Sequence, residues 1–240
     1  MSSIVNKQKL LNQVLDKGLV GLLDTTLPET EAVDIDSLPV LEQIIYAFCR
    51  EDASPLQADR AFQQLQERFF DWNEVRVSAI RELAEAFEGL HQPYERSERL
   101  VAFLQELFET TFSYDMELLQ KKGMKIAAKQ LERQQAITDF IVAWVTQRSL
   151  GGHAVPVDNS TVRCLKRLGL VDQELDKLPD IRASLEHLVP KAKNAEFTDT
   201  VSRVALEFCH DKAPACTACP LAADCPSMRI PPLPRARKAK

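Results

Sequence analysis

Glycine and long apolar runs are both scarce in this chain of 240 residues. Its 7 glycines argue against a glycine-rich nucleotide-binding fold and against a turn-rich all-β fold. The longest purely apolar run is Phe140–Val145, which is too short to span a membrane. The first ten residues lack the apolar core of a secretory signal. We therefore expect a cytoplasmic chain without a membrane segment.

Charge is balanced overall but unevenly distributed. The chain has 30 Lys and Arg against 35 Asp and Glu, which gives a formal net charge of −5. This slight acidity argues against coating nucleic acid by bulk charge, although it leaves room for a local basic surface. Acidic residues without any basic ones fill 24–40, and basic residues without acidic ones fill the tail. These shifts predict an acidic linker (24–40) and a disordered basic tail (227–240), and the helical spacing of apolar residues before the linker predicts an N-terminal helix (1–23).

Apolar residues repeat at helical spacing through most of the chain, and no segment alternates long enough to predict a sheet. The sequence therefore predicts an all-α fold of about ten helices. One helix is expected over 77–87, and another after Asp158, closed by Gly169. A last helix is expected to begin at an N-cap residue, Thr198.

Four of the six cysteines lie within 17 residues, in the pattern Cys-x6-Cys-x2-Cys-x5-Cys formed by Cys209, Cys216, Cys219 and Cys225. In a chain without an export signal, a disulfide framework is not expected. Spacing alone leaves two metal centres open, a tetrahedral zinc site and a [4Fe–4S] cluster. Cys49 and Cys164 lie on apolar helical faces, which favours a place in the core.

The cysteine pattern, followed by Pro226, resembles the iron–sulfur loop of endonuclease III and the adenine glycosylases, which are helix-hairpin-helix DNA glycosylases. The resemblance implies a [4Fe–4S] cluster held by the four clustered cysteines. It also implies two helical domains, a six-helix barrel (41–150) and a C-terminal domain (151–226) that packs with the N-terminal helix, with double-stranded DNA between them. We further expect a monomer.

A second match lies around Asp158. The segment 151–169, with Val-Asp before a helix that has a basic face, resembles the family segment that carries the catalytic aspartate. The resemblance implies that Asp158 stabilises the positive charge that develops on the sugar as the base departs. The residues alone favour a simpler interpretation, in which Asp158 caps the following helix. Candidate phosphate contacts are Arg163, Lys166, Arg167 and Lys212, for each of which a solvated surface role stays open.

The hairpin motif of the family is degenerate here. An ungapped comparison back from Asp158 places Ala136 and Thr138 where the family has glycines, and adds the acidic Asp139. Phe140 stands where the lyase members have the lysine that forms a Schiff base, which a phenyl ring cannot do. In the loop that resembles the family's base-replacing segment, this chain has Arg50, Glu51 and Asp52, and acids there would repel phosphate.

Three functions remain in view from the sequence. The first is a monofunctional DNA N-glycosylase without AP-lyase activity, which would flip a base and use Asp158 with a water. The second is a catalytically inactive relative that binds DNA or regulates, and the third is an interaction or redox-sensing iron–sulfur protein without a DNA role.

Overall fold

The computed structural model describes residues 2–22 and 32–228. Those residues form twelve α-helices and no strand, so the predicted all-α fold is confirmed. The helices are α1 (Ser2–Leu22), α2 (Val40–Arg50), α3 (Pro55–Arg68), α4 (Trp72–Val77), α5 (Ile80–Ala86), α6 (Pro93–Thr111), α7 (Leu118–Lys121), α8 (Met124–Leu131), α9 (Asp139–Arg148), α10 (Asn159–Leu168), α11 (Leu178–Leu188) and α12 (Asn194–Arg203).

Two predicted segments fall largely outside this description. The acidic linker is described only from residue 32 onward, and the basic tail only as far as residue 228. Within the described part of the chain, no helix is long and apolar enough to cross a membrane.

Helix ends follow local sequence signals at several points. Ser54 accepts a hydrogen bond from the Gln57 amide, and the Gln57 side chain accepts one from the Ser54 amide, which together cap α3. Pro55 follows at the first helical position, where its missing N–H costs nothing. Gly169 closes α10 with φ +78, a left-handed conformation that favours glycine.

The first hydrophobic core is built from α2 to α9. Its centre is α2, in which every residue except Glu42 is buried and whose Tyr46 contacts Phe62 and Trp144 with ring centroids 5.6 and 5.7 Å apart. The Tyr46 hydroxyl donates a 2.6 Å hydrogen bond to Asp59, so its polar end is satisfied inside the core. Burial of these large aromatic side chains supplies much of the stability of this half.

The second core joins both ends of the chain. Leu11 and Val14 of α1 are fully buried against residues of α10, α11 and α12, including Leu165, Leu185 and Phe197. Val155 and Val157, in the segment between α9 and α10, belong to the same core. The chain therefore has two helical units, although the boundaries at residues 40 and 150 stay predictions.

A buried polar network joins the two units. Arg50, at the end of α2, is 1% exposed and donates to the Ser202 hydroxyl of α12. Arg148, at the end of α9, bonds Asp199 at 2.7 Å, and Arg50 lies 3.6 Å from the same carboxylate. Arg50 and Arg148 both lie over the Trp144 ring. Because these charges are paired and stacked, the junction between the units is fixed by specific polar contacts.

Two helix predictions were wrong. The chain over 77–87 breaks at Ser78–Ala79 into α4 and α5, because both residues are extended and the Ser78 hydroxyl bonds the Glu74 carbonyl. Thr198 does not cap α12, which begins four residues earlier at Asn194. The Thr198 hydroxyl instead donates to the Asn194 carbonyl and accepts from Gln147 of α9.

Candidate functional site

Asp158 is the N-cap of α10. One carboxylate oxygen, Oδ1, accepts hydrogen bonds from the Thr161 amide and hydroxyl, each at 2.8 Å. The Thr161 hydroxyl in turn accepts from the Asp158 amide at 2.9 Å. These reciprocal bonds orient the carboxylate at the positive end of the helix dipole. The side chain is buried, with 5% exposed.

The second oxygen of Asp158 is covered by the loop after α2. The Asp52 amide donates to Oδ2 of Asp158 at 2.9 Å, and the Asp52 carboxylate accepts from the Ser160 amide at 3.0 Å. Asp52 has φ +51, an uncommon left-handed conformation that aspartate tolerates better than most residues. Two hydrogen bonds therefore join the loop after α2, which belongs to the first helical unit, to the start of α10 in the second unit.

This environment raises the pKa of the Asp158 carboxyl. Burial is the main cause, and the negative charge of Asp52 adds to it. The hydrogen bonds from Thr161 and Asp52 act in the opposite direction but do not cancel these effects. A carboxylate with a raised pKa is a stronger proton acceptor, as a general base requires.

The other acid of this loop also makes internal contacts. Glu51 bonds Arg99 of α6 at 2.9 Å, and Arg99 also donates to the Ala136 carbonyl at 3.3 Å. Arg96 holds the loop backbone through the carbonyl of Glu51 at 2.8 Å. Since both Glu51 and Asp52 have internal partners, the expected repulsion of phosphate at this loop is smaller than their charges alone imply.

The predicted hairpin region is a turn between α8 and α9. Thr138 caps α9 by accepting a hydrogen bond from the Ile141 amide at 3.4 Å, and the turn at 132–138 contains no glycine. Phe140, at the position of the family's lysine, is 4% exposed and stacks on Trp144 with centroids 6.1 Å apart. The position that would carry a nucleophile is therefore part of the first core.

The four clustered cysteines line one partly open pocket with a cavity volume of about 30 Å³. All six cysteines of the chain are free of disulfides. Apolar residues complete the pocket, among them Leu168, Val204 and Phe208. The chain leads into it through a single π-helical turn, Val204–Phe208, a form frequent at functional sites.

Cys164 of α10 also lines this pocket, although its apolar helical face had indicated a core residue. It is both, since it is 1% exposed and belongs to the second core. A hydrogen bond from the Cys164 thiol lowers the pKa of Cys209 to about 6, and Arg167 and Arg163 contribute in the same direction against the effect of burial. Burial raises the pKa of Cys219 and Cys225.

The two predicted metal centres share one donor set, the four clustered cysteines. Among residues 2–22 and 32–228, no three His, Cys, Asp or Glu side chains lie close enough to bind a single metal ion. The four thiols nevertheless face one pocket with largely apolar walls. Thiolate sulfur is a ligand of both zinc and iron–sulfur clusters, so the donor type suits either predicted centre.

Three of the four candidate phosphate contacts lie on α10. Arg167 donates to the carbonyls of His210 and Asp211 at 2.7 and 2.8 Å, and Arg163 donates to the Cys209 carbonyl at 3.1 Å. Both guanidinium groups therefore hold the loop that carries the cysteines. Lys166 instead contacts the segment after α10, bonding Asp176 at 3.1 Å.

Lys212 completes this set and is exposed in the cysteine loop, between Cys209 and Cys216. The structure thus gathers the four basic residues around the cysteine loop and its neighbour, α10. Sequence reasoning missed Asp52, Arg99 and Cys164 as contributors to the site. Asp52 and Asp158 are 106 residues apart, so no local signal connects them.

The chain shares its fold with solved glycosylase structures. It matches a trapped endonuclease III–DNA covalent intermediate with a TM-score of 0.63 and 15% identity, covering 92% of this chain and 96% of that one. It also matches a thermostable thymine-DNA glycosylase with a TM-score of 0.65 and 13% identity, and this match covers 95% of this chain and 99% of that one. It matches a non-covalent endonuclease III–DNA complex with a TM-score of 0.65 and 15% identity, and this match covers 92% of this chain and 95% of that one.

Two curated plant proteins are also similar in sequence. DNA glycosylase/AP lyase ROS1 and DEMETER-like protein 3, both from Arabidopsis thaliana, are each 25% identical over an alignment of 171 residues that covers 65% of this chain. The matched part covers only 12% and 16% of those proteins. The chain matches no sequence-family profile.

Proposed function

Because the chain has the fold of the endonuclease III-like helix-hairpin-helix DNA glycosylases, we propose that it removes an altered base from double-stranded DNA. The sequence similarity to DNA glycosylase/AP lyase ROS1 supports base excision as the class of reaction. In this proposal the protein acts as a monomer in the cytoplasm and associates with the nucleoid.

The observation that carries the proposal is the place of Asp158. Its carboxylate lies at the start of α10, beside the loop that comes from the first helical unit. Departure of a base leaves positive charge on the sugar, which a fixed carboxylate stabilises. The raised pKa of Asp158 suits a second task, the removal of a proton from the attacking water.

The Asp52 loop must move before this chemistry can occur. Both oxygens of Asp158 have protein partners, and the Oδ2 bond comes from the Asp52 amide. Release of that one bond would open Oδ2 to water while Oδ1 stays fixed by Thr161. Binding of a flipped nucleotide would supply the energy for this opening.

The proposed enzyme has no AP-lyase activity. Family lyases use a lysine as a Schiff-base nucleophile, and Phe140 stands at that position with its ring packed on Trp144. This chain therefore differs from the lyase named among its sequence relatives, and water would be the attacking group.

The proposed cofactor is a [4Fe–4S] cluster held by Cys209, Cys216, Cys219 and Cys225. A pocket lined by the four thiols and a pKa of about 6 at Cys209, which favours the metal-binding thiolate, support it. When bound, the cluster would supply structural cross-linking of the loop and a centre capable of electron transfer.

The basic residues around the cysteine loop are proposed to serve DNA binding. Arg163, Lys166 and Arg167 hold α10 and the loop in shape, and Arg167 keeps 24% of its side chain exposed. Lys212 faces solvent and can bind a phosphate directly.

The test is a panel of duplexes that contain damaged or mismatched bases, treated with the wild type and with Asp158→Asn. Asparagine is a good N-cap, so the variant keeps α10 while it loses the charge. We expect base release by the wild type and a loss of at least a hundredfold in the variant. No release by the wild type would identify an inactive relative, and equal release by Asp158→Asn would exclude Asp158 as the catalytic group.

A further inference from the structure

Helix α8 and the residues that flank it carry a concentration of exposed positive charge. Between residues 121 and 133 there are five basic residues and one acid, Glu132, so this segment has a net charge of +4 in a chain of net charge −5. All five basic side chains are exposed. We call them the α8 basic face: Lys121, Lys122, Lys125, Lys129 and Arg133.

Three of these side chains lie along one groove. Lys125 and Lys129 are one turn apart on the same side of α8, about 6 Å apart along the axis, and Arg133 follows two residues after the helix ends. They border a shallow groove of about 380 Å³ together with Ile126 and Gln130. Such a row can contact successive groups of an extended anion.

Among the described residues, no carboxylate lies within 4 Å of any member of the α8 basic face. The one side-chain hydrogen bond that these members make to a described residue joins Lys122 to Gln130 at 3.0 Å. By contrast, the basic side chains of α10 are occupied with carbonyls and with Asp176. Five cations this close repel one another, so an external anion would stabilise them.

Both ends of α8 are connected to the segments around Asp158. At the start of α8, Met124 packs against Gly152 so closely that a Cβ added at Gly152 would lie 2.5 Å from the Met124 sulfur. Gly152 is six residues before Asp158. After its end, the Ala136 carbonyl binds Arg99, which also binds Glu51 of the covering loop. The position of α8 is therefore fixed relative to the candidate catalytic carboxylate.

We propose that the α8 basic face binds the phosphate backbone of the DNA duplex on which the protein acts. The inference rests on the proposed function, because it identifies how the same protein holds its substrate. A row of lysines binds phosphates without reading the bases, so it would supply affinity and orientation rather than lesion specificity. It would also compensate for a hairpin turn that has no glycine through which backbone amides could approach a phosphate.

The test measures binding of a fluorescent, undamaged duplex by anisotropy over a range of salt concentrations. The variant replaces Lys125, Lys129 and Arg133 by glutamine. A matched control replaces Arg60, Arg81 and Lys191 by glutamine, which removes the same charge from exposed positions elsewhere. Circular dichroism and thermal unfolding check that both variants are folded.

We expect the α8 variant to bind at least tenfold more weakly in low salt. The slope of log affinity against log salt should become shallower by about 2 to 3, since each lost phosphate contact contributes about 0.9. The control should change binding by less than twofold. Equal weakening in both variants, or wild-type binding by the α8 variant, would overturn the inference while leaving the proposed function intact.

A wild type that binds no duplex at low salt would instead overturn the proposed function and this inference with it. Binding to phosphatidylserine vesicles but not to duplex would assign the α8 basic face to a membrane surface. That result would also overturn the inference.

Discussion

The Asp52 amide donates a hydrogen bond to Oδ2 of Asp158 at 2.9 Å, across 106 residues of sequence and between the two helical units. Through this bond, the loop that would face a nucleotide also covers the carboxylate proposed to act on it. A second hydrogen bond, from the Ser160 amide to the Asp52 carboxylate, joins the same two segments. Opening of the site and separation of Asp52 from α10 are therefore the same event.

Asp52→Asn should lower the pKa of Asp158. Asparagine keeps the acceptor for the Ser160 amide and tolerates the left-handed backbone, but it removes the negative charge beside Asp158. The titration of the Asp158 carboxyl, followed by carbon-13 NMR, should therefore move to lower pH. The matched control is Asp180→Asn, which removes an exposed acid from the first turn of α11 and should leave Asp158 unchanged.

Stability should follow the same linkage. The native pKa of Asp158 is raised above its unfolded value, so its ionisation costs stability as pH rises through this range, and the cost is complete above the native pKa. Asp52→Asn reduces this cost by about 1.4 kcal/mol for each tenfold change in the acid dissociation constant. The free energy of unfolding of the variant should therefore exceed that of the wild type by more at pH 7 than at pH 3. An unchanged Asp158 titration would contradict both expectations.

Replacement of any of the four proposed ligands, Cys209, Cys216, Cys219 and Cys225, by serine should remove the cluster. The wild type should contain four iron and four sulfide per chain with visible thiolate-to-iron absorbance, and Cys216→Ser should lose both signals and unfold at lower temperature. Cys49→Ala is the control, since Cys49 is fully buried in the first core. A wild type that contained only zinc would refute the assignment.

Arg167→Lys should loosen the cysteine loop although it keeps the charge. The guanidinium donates to the carbonyls of His210 and Asp211 at once, which an ammonium group on a flexible stem does not reproduce. Hydrogen exchange at residues 209–216 should therefore speed up by about tenfold, which corresponds to about 1.4 kcal/mol.

Lys166→Gln serves as the control for this change, because Lys166 bonds Asp176 and Gln173 rather than the cysteine loop. Its exchange rates at 209–216 should equal those of the wild type. Equal protection in Arg167→Lys would mean that charge, rather than the paired hydrogen bonds, holds the loop.

Features with local signals could be predicted from the sequence, and features made by distant contacts could not. Helix α10 was predicted because Asp158 and Gly169 mark its ends, and the cysteine spacing pointed to one metal centre. The start of α12 was missed because Asn194 follows a lysine and gives no capping signal, whereas Thr198 had the right chemistry but bonds Gln147 across the junction. The hydrogen bonds that join the Asp52 loop to the start of α10 depend on packing of the two units, which no local sequence pattern encodes.

Phe140→Lys should not create a lyase, although the sequence comparison alone would nominate it as the restoring change. The side chain at this position is buried and stacked on Trp144, so a lysine there would be placed in the first core. Loss of the ring and burial of an amine should together destabilise the fold by about 3 to 5 kcal/mol. Thermal unfolding measures this cost, with Phe140→Leu as the control that keeps an apolar side chain.

Borohydride treatment with an abasic duplex should trap no covalent complex in any variant. A trapped complex in Phe140→Lys would show that this position reaches the sugar after all, and that α9 shifts when DNA binds.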